Sequence, residues 1–180
     1  MTTGNTNNAP PDIVIRHSNG NIEFAGWQKN GQYHRTDGPA CIVYYKNGKP
    51  ETEFWCKNGK MHRTDGPART NYHQNGSIET EEWWQNDRLH RDHVPAIIGY
   101  DRNGNVEREE WFQDGQRHRT DGPACTIYDD KKHVRVEQWY QDGVLHRTDG
   151  PAEIYYNQDG AIGFVRWWRD GKKLTPPDES

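Results

Sequence analysis

Aliphatic side chains are scarce in this chain. Leu, Ile, Val and Phe number 25 of 180 residues, about 14%, a level that alone belongs to disordered chains. Disorder also expects a high net charge, and here the balance is only −4. The missing apolar mass is supplied by 21 aromatic residues, among them 8 Trp and 9 Tyr. Each buries a large area, so a thin core of Trp and Tyr is expected. The weak net charge excludes a strongly electrostatic partner, neither nucleic acid nor a membrane surface. No apolar run approaches the roughly 18 residues of a spanning helix. The opening "MTTGNTNNAPP" lacks a basic stretch followed by an apolar one, so no secretory leader is expected. There are only three cysteines. Cys41 and Cys125 occupy equivalent positions three repeats apart and Cys56 has no equivalent, so disulfides are not expected and a reducing, cytoplasmic setting is.

What the chain has in abundance is repetition. "HRTDGPA" occurs at 34–40, 62–68, 118–124 and 146–152. His34, His62, His90, His118 and His146 are each 28 residues apart. Trp27, Trp55, Trp83, Trp111, Trp139 and Trp167 keep the same interval, as do the prolines from Pro11 to Pro151. A period in this range marks a repeat architecture, in which each unit relies on its neighbours to bury its apolar face.

Gly and Pro interrupt every window long enough for a helix. Each repeat instead carries two hairpin signals, such as Asn47-Gly48 and Asn58-Gly59. Asn-Gly is the strongest short-range mark of a type I′ turn, with positive φ at both central residues. Folding about Asn47-Gly48 sets Tyr44 opposite Glu51, Ile42 opposite Glu53 and Ala40 opposite Trp55; folding about Asn58-Gly59 sets Trp55 opposite His62. By alternation, Ala40, Ile42, Tyr44, Trp55 and His62 share one face. The six Trp and five His therefore form a structural ladder, with Ala leaving room for the indole and His against its other side. In the joint, Asp-Gly-Pro reads as turn chemistry, with Gly supplying an unusual φ and Asp bonding backbone amides. His, Arg and Asp, within four residues, could also pair with each other or with Glu53, Glu81, Glu109 and Glu137 upstream of the Trp.

Runs such as "YYKNGK…WCKNGKMH" and "WFQDGQRHRTDGPA" resemble MORN-type repeats, in the longer variant of antitoxin-like, phage and giant-virus repeat proteins. The resemblance spans roughly residues 11–172. It implies an elongated antiparallel β-meander that serves as a binding scaffold rather than a catalyst. The common MORN unit is shorter and has Gly after its hairpin where this chain has His-Arg-Thr-Asp-Gly-Pro-Ala.

The His-x-x-Asp spacing could supply metal ligands, as His34 and Asp37, but residues present in every repeat are what every repeat needs to fold. No metal, cofactor or catalytic residue is assigned. Differences between repeats are more informative. The residue after the ladder Trp is Gln28, Cys56, Trp84, Phe112, Tyr140 or Trp168, on the opposite face. Trp84, Phe112, Tyr140 and Trp168 form an aromatic stripe that either binds a partner by stacking or closes a second layer of core. In the third repeat, "QNDRLHRDHVPA" places Asp87 at a turn glycine and Asp92, His93 and Val94 at the Thr-Asp-Gly of the joint. Val resists positive φ, so this joint follows another path, and Asp92 and His93 are candidate ligand contacts. "DDKKHV" in the fifth repeat loses its Asn-Gly and is expected to form a longer loop.

The expected fold is all-β: one elongated antiparallel meander of six 28-residue repeats over 11–174, between disordered tails at 1–10 and 175–180. The expected function is non-enzymatic binding of a protein partner through one long face. The alternatives are a small-ligand or glycan binder using the aromatic stripe and, with less to support it, a metal-dependent hydrolase. Open sheet edges invite self-association.

Overall fold

A computed structural model describes residues 9–175; most of the two expected tails lies outside this range. The fold is all-β, an antiparallel meander in which consecutive strands pair. Among the described residues there is no helix, and so none long and apolar enough to cross a membrane. The chain divides between Arg88 and Leu89 into two compact units. In the first, Ile13–Arg16, Ile22–Gly26, Cys41–Tyr44, Pro50–Phe54, Arg69–Tyr72 and Ile78–Glu82 lie side by side in that order. In the second the order is Ile97–Tyr100, Val106–Glu110, Cys125–Tyr128, Val134–Gln138, Glu153–Tyr156, Ile162–Arg169 and Lys172–Leu174.

The two turn classes of each repeat differ, and only one is type I′. At the second turn both residues have positive φ: 53° and 76° at Asn58-Gly59, 49° and 86° at Asp114-Gly115. At the first turn only the glycine does, as Gly48 at 84°. Gly48 N–H donates to the Tyr45 carbonyl at 2.8 Å and Tyr45 N–H to that of Lys49 at 2.9 Å. This is a type I turn closed by one left-handed residue. Asn47 is there because its Oδ1 accepts the Lys49 N–H at 3.0 Å, which is the ordinary use of Asn in turns.

The difference moves the register. Ile42 pairs with Glu53 as expected, but the strands slip after Val43 and Tyr44 pairs with Pro50, not Glu51. The same slip follows Ile15, Gly99, Ile127 and Tyr155. "DDKKHV" does not lengthen the loop. Lys132 takes the glycine's place at φ 67°, and Asp129 Oδ1 accepts the N–H groups of Lys131 and His133, both at 2.9 Å.

At the first five ladder Trp the chain leaves the sheet and enters a two-residue ribbon, such as Cys56–Lys57 paired with Lys60–Met61, whereas Trp167 lies within the continuous strand Ile162–Arg169. Successive ribbons bond to one another: Gly59 N–H donates to the Tyr33 carbonyl at 2.9 Å, and Gly143 N–H to that of Arg117 at 3.0 Å. The core is thin. Its fully buried members are small, with Ala40, Ala68, Ala96, Ala124 and Ala152 all at 0% exposure, while the six ladder Trp are half-buried.

Candidate functional site: the joints and the two faces of the sheet

The arginine of each regular joint covers the ladder indole. Arg35, Arg63, Arg119 and Arg147 place their guanidinium carbons 4.2, 3.8, 3.8 and 3.9 Å from the ring centres of Trp27, Trp55, Trp111 and Trp139. Each Nε donates to the aspartate two residues on, at 2.9, 2.8, 2.8 and 2.9 Å to Asp37, Asp65, Asp121 and Asp149. Arg63, Arg119 and Arg147 also donate through Nη1 to the joint proline's carbonyl, each at 3.3 Å. The bond and the charge of the arginine hold Asp65, Asp121 and Asp149 below the usual carboxylate range.

This corrects the reading of the joint. Its glycines are absent from the positive-φ positions. A Cβ on Gly38, Gly66, Gly122 or Gly150 would lie 2.9, 2.7, 2.8 or 3.0 Å from the arginine Cζ. Glycine leaves open the space over its α-carbon that the guanidinium occupies. The aspartate bonds the arginine side chain, one of the pairings the joint's sequence allowed, and the arginine lies over the ring.

The histidines cap the next repeat's second turn. His34 Nδ1 accepts the Asn58 N–H at 3.1 Å, His90 that of Asp114 at 3.1 Å, and His118 and His146 those of Asp142 and Asp170, each at 3.2 Å. At His34 an accepting Nδ1 places the proton of a neutral ring on Nε2. His118 and His146 Nδ1 lie closer still to the Asp142 and Asp170 carboxylates, at 3.0 and 2.8 Å, and a protonated Nδ1 donates to them instead. His62 is the exception: its Nδ1 is buried and has no hydrogen-bond partner among the described residues. The turn it would cap is the irregular Asn86-Asp87, where Asp87 Oδ1 instead accepts the Met61 N–H at 2.7 Å.

The third joint does take another path, though not where Val94 suggested. The positive φ, 59°, falls on His93. Arg91 keeps its bond to the joint proline, 3.1 Å to the Pro95 carbonyl. Asp92 reaches back to His90 Nε2 at 3.3 Å, while His90 Nδ1 is 3.3 Å from the Asp114 carboxylate. Asp92 and His93 are exposed and line a cleft of ≈ 290 Å³ with Arg91, Trp111, Phe112 and Arg119. A second cleft, of ≈ 410 Å³, lies between the next two joints and holds Asp121, Trp139, His146 and Asp149.

The candidate aromatic stripe is woven into the opposite face. Trp84, Phe112, Tyr140 and Trp168 are half-buried. Trp84 Nε1 donates to Glu82 at 2.9 Å and Trp168 Nε1 to Glu153 at 2.8 Å. Between them, in the second unit, Arg117 lies 5.6 Å from the Phe112 ring and 5.5 Å from that of Tyr140. Its Nε and Nη2 bond Glu110 at 2.7 and 2.6 Å. Burial works against the Arg117 charge, and the Glu110 carboxylate outweighs it, leaving the guanidinium above its ordinary value. Of the residues singled out in the sequence, the structure brings Asp92, His93 and Phe112 to one cleft; Tyr140 and Trp168 lie elsewhere in the second unit, and Trp84 belongs to the first.

Three features escape sequence reasoning: the arginine-on-indole stack, the buried carboxylates Glu110 and Glu153, at 2% and 4% exposure, and the meeting of Cys41 with Cys56, whose thiols are neighbours. Only the first has a periodic signal, an arginine eight residues after each of the first five ladder Trp. Among the described residues no three His, Cys, Asp or Glu side chains converge as a metal site would require. Comparison with protein-family models, curated proteins and solved structures finds no match.

Proposed function

We propose that the protein is a non-enzymatic interaction scaffold that binds a protein partner through one face of its repeat sheet, centred on the cleft at the third joint. One observation carries this reading. In the regular joints the arginine bonds the aspartate two residues on, whereas in the third joint Asp92 turns to His90 and the exposed His93 takes a left-handed backbone in a cleft beside Phe112. Groups committed to folding in every repeat are poor candidates for chemistry, and the departure from the pattern is the place to look for recognition.

The repeat is read as a long MORN-type unit. Its supports are the Asn-Gly hairpins, the aromatic strands and the "NG-x-x-H" turn, now seen on an antiparallel meander. A cytoplasmic role of the antitoxin-like, phage or viral kind is the matching proposal, by analogy alone. The small-ligand alternative loses ground because the Trp84 and Trp168 indole N–H groups already have partners.

Affinity capture from native lysate of the source organism tests the proposal. Wild type is compared with Asp92→Ala/His93→Ala and with Trp84→Ala/Phe112→Ala, with folding checked by circular dichroism. A defined protein retained by wild type and lost from the joint variant supports the reading. Equal capture by all three, or none by wild type, removes it. Ligand-dependent quenching of Trp fluorescence that disappears in Trp84→Ala would favour the small-ligand alternative.

A further inference from the structure

Cys41 sits in the sheet strand Cys41–Tyr44, and Cys56 opens the ribbon that follows Trp55. Both side chains point to the face opposite the ladder. The equivalent positions in the last repeat, Glu153 and Trp168, are in direct contact at 2.8 Å. In the second repeat alone, both positions are cysteine. The two residues are buried, at 6% and 7% exposure, and both are free thiols. We propose that Cys41 and Cys56 are a dithiol modification site that closes reversibly to a disulfide, stapling the second repeat's ribbon to its sheet strand.

The proximity of the two thiols makes the sulfurs unequal. It raises the Cys41 thiol, with burial adding to the effect, and lowers Cys56. Cys56, the lowered thiol, attacks first and Cys41 resolves; the reverse order gives the same disulfide. With a peroxide as oxidant, the Cys56 thiolate attacks one peroxide oxygen and the O–O bond breaks. This gives a Cys56 sulfenic acid and hydroxide, which takes up the proton released by Cys56 to form water. Cys41 sulfur then attacks the sulfenic sulfur and the S–O bond breaks. The departing hydroxide leaves as water with the Cys41 proton. The sum is two thiols and one peroxide converted to one disulfide and two waters. A dithiol reductant returns both thiols by exchange. Cys125 provides an internal control. It occupies the position of Cys41, but Tyr140 stands where Cys56 would be, and burial pushes its thiol up to about 11.

The test treats the folded full chain with hydrogen peroxide, quenches with catalase, alkylates in denaturant and maps the products by mass spectrometry. The expected result is loss of two hydrogens per chain, a Cys41–Cys56 cross-linked peptide, an alkylated Cys125, and reversal by dithiothreitol. Cys41→Ser and Cys56→Ser each remove the resolving partner, so the remaining sulfur cannot close the disulfide and its sulfenic acid should react with dimedone. Three alkylated thiols after oxidation, or a cross-link that involves Cys125, overturns the proposal. These readouts do not depend on partner binding, so they stand apart from the scaffold reading.

Discussion

The Arg119 guanidinium carbon lies 3.8 Å from the centre of the Trp111 ring. Its partners Asp121 and Pro123 come from the same turn, and Gly122 is bare where the guanidinium rests. Indole, cation and turn thus form one interlocked group, repeated in four joints. Stacking of this kind contributes about 0.5–1 kcal/mol at exposed sites and about 2 when desolvated.

Gly122→Ala should therefore act through Arg119 and not through backbone φ. A loss of about 0.5–1 kcal/mol is expected, the size of the stacking it disturbs, measured by urea unfolding. In an Arg119→Ala background the same substitution should cost far less. Equal costs in both backgrounds would show that the two residues do not interact.

Glu110 is the buried carboxylate of the opposite face, held by Arg117 and by Arg108 at 3.2 Å. Glu110→Ala should destabilise by about 1–3 kcal/mol, the range for losing bonds to a charged group. Arg117 keeps access to water, which limits the penalty. Glu110→Gln retains the shape and should lose less.

Tyr72, Tyr128 and Tyr156 donate to Glu53, Glu109 and Glu137 at 3.0, 2.7 and 2.6 Å. Burial first, and the carboxylate second, pushes each phenol from 10.0 to about 12. The unfolded chain then releases these protons at lower pH than the folded one. Stability from this source is complete below pH 10 and declines as pH rises towards about 12. Unfolding free energies measured across that window should fall, and Tyr128→Phe should flatten the slope.

Lys132 holds a left-handed backbone that glycine holds in the equivalent turns. Such a conformation costs an ordinary residue roughly 1–2 kcal/mol, and glycine returns about half of that as unfolded-state entropy. Lys132→Gly should raise stability by up to about 1 kcal/mol, read from the denaturation midpoint. A loss would mean that the Lys132 side chain is needed in the turn.

Strands, period and the Ile42–Glu53 pairing were legible because alternation and turn residues recur without a slip. The Tyr44 position was not. Asn-Gly serves two turn types, and the choice rests on which flanking residues continue the ladder, as Tyr45 and Lys49 do across the loop. The joint was misread for a related reason. A glycine that makes room for a side chain has the same letter as one that bends the backbone, and only the packing of Arg119 over Trp111 tells them apart. The Cys41–Cys56 meeting was hidden because one repeat alone carries both residues, so periodicity had nothing to report.

The ribbon-to-ribbon bonds from Gly59 to Tyr33 and from Gly143 to Arg117 recur in identical form. A cassette of 28 residues could be duplicated or excised within either unit with every donor finding an acceptor of the same kind. Gene recombination can thus change the number of rungs without inventing a new junction, and variation such as Asp92-His93 can arise in one cassette while the others keep the frame.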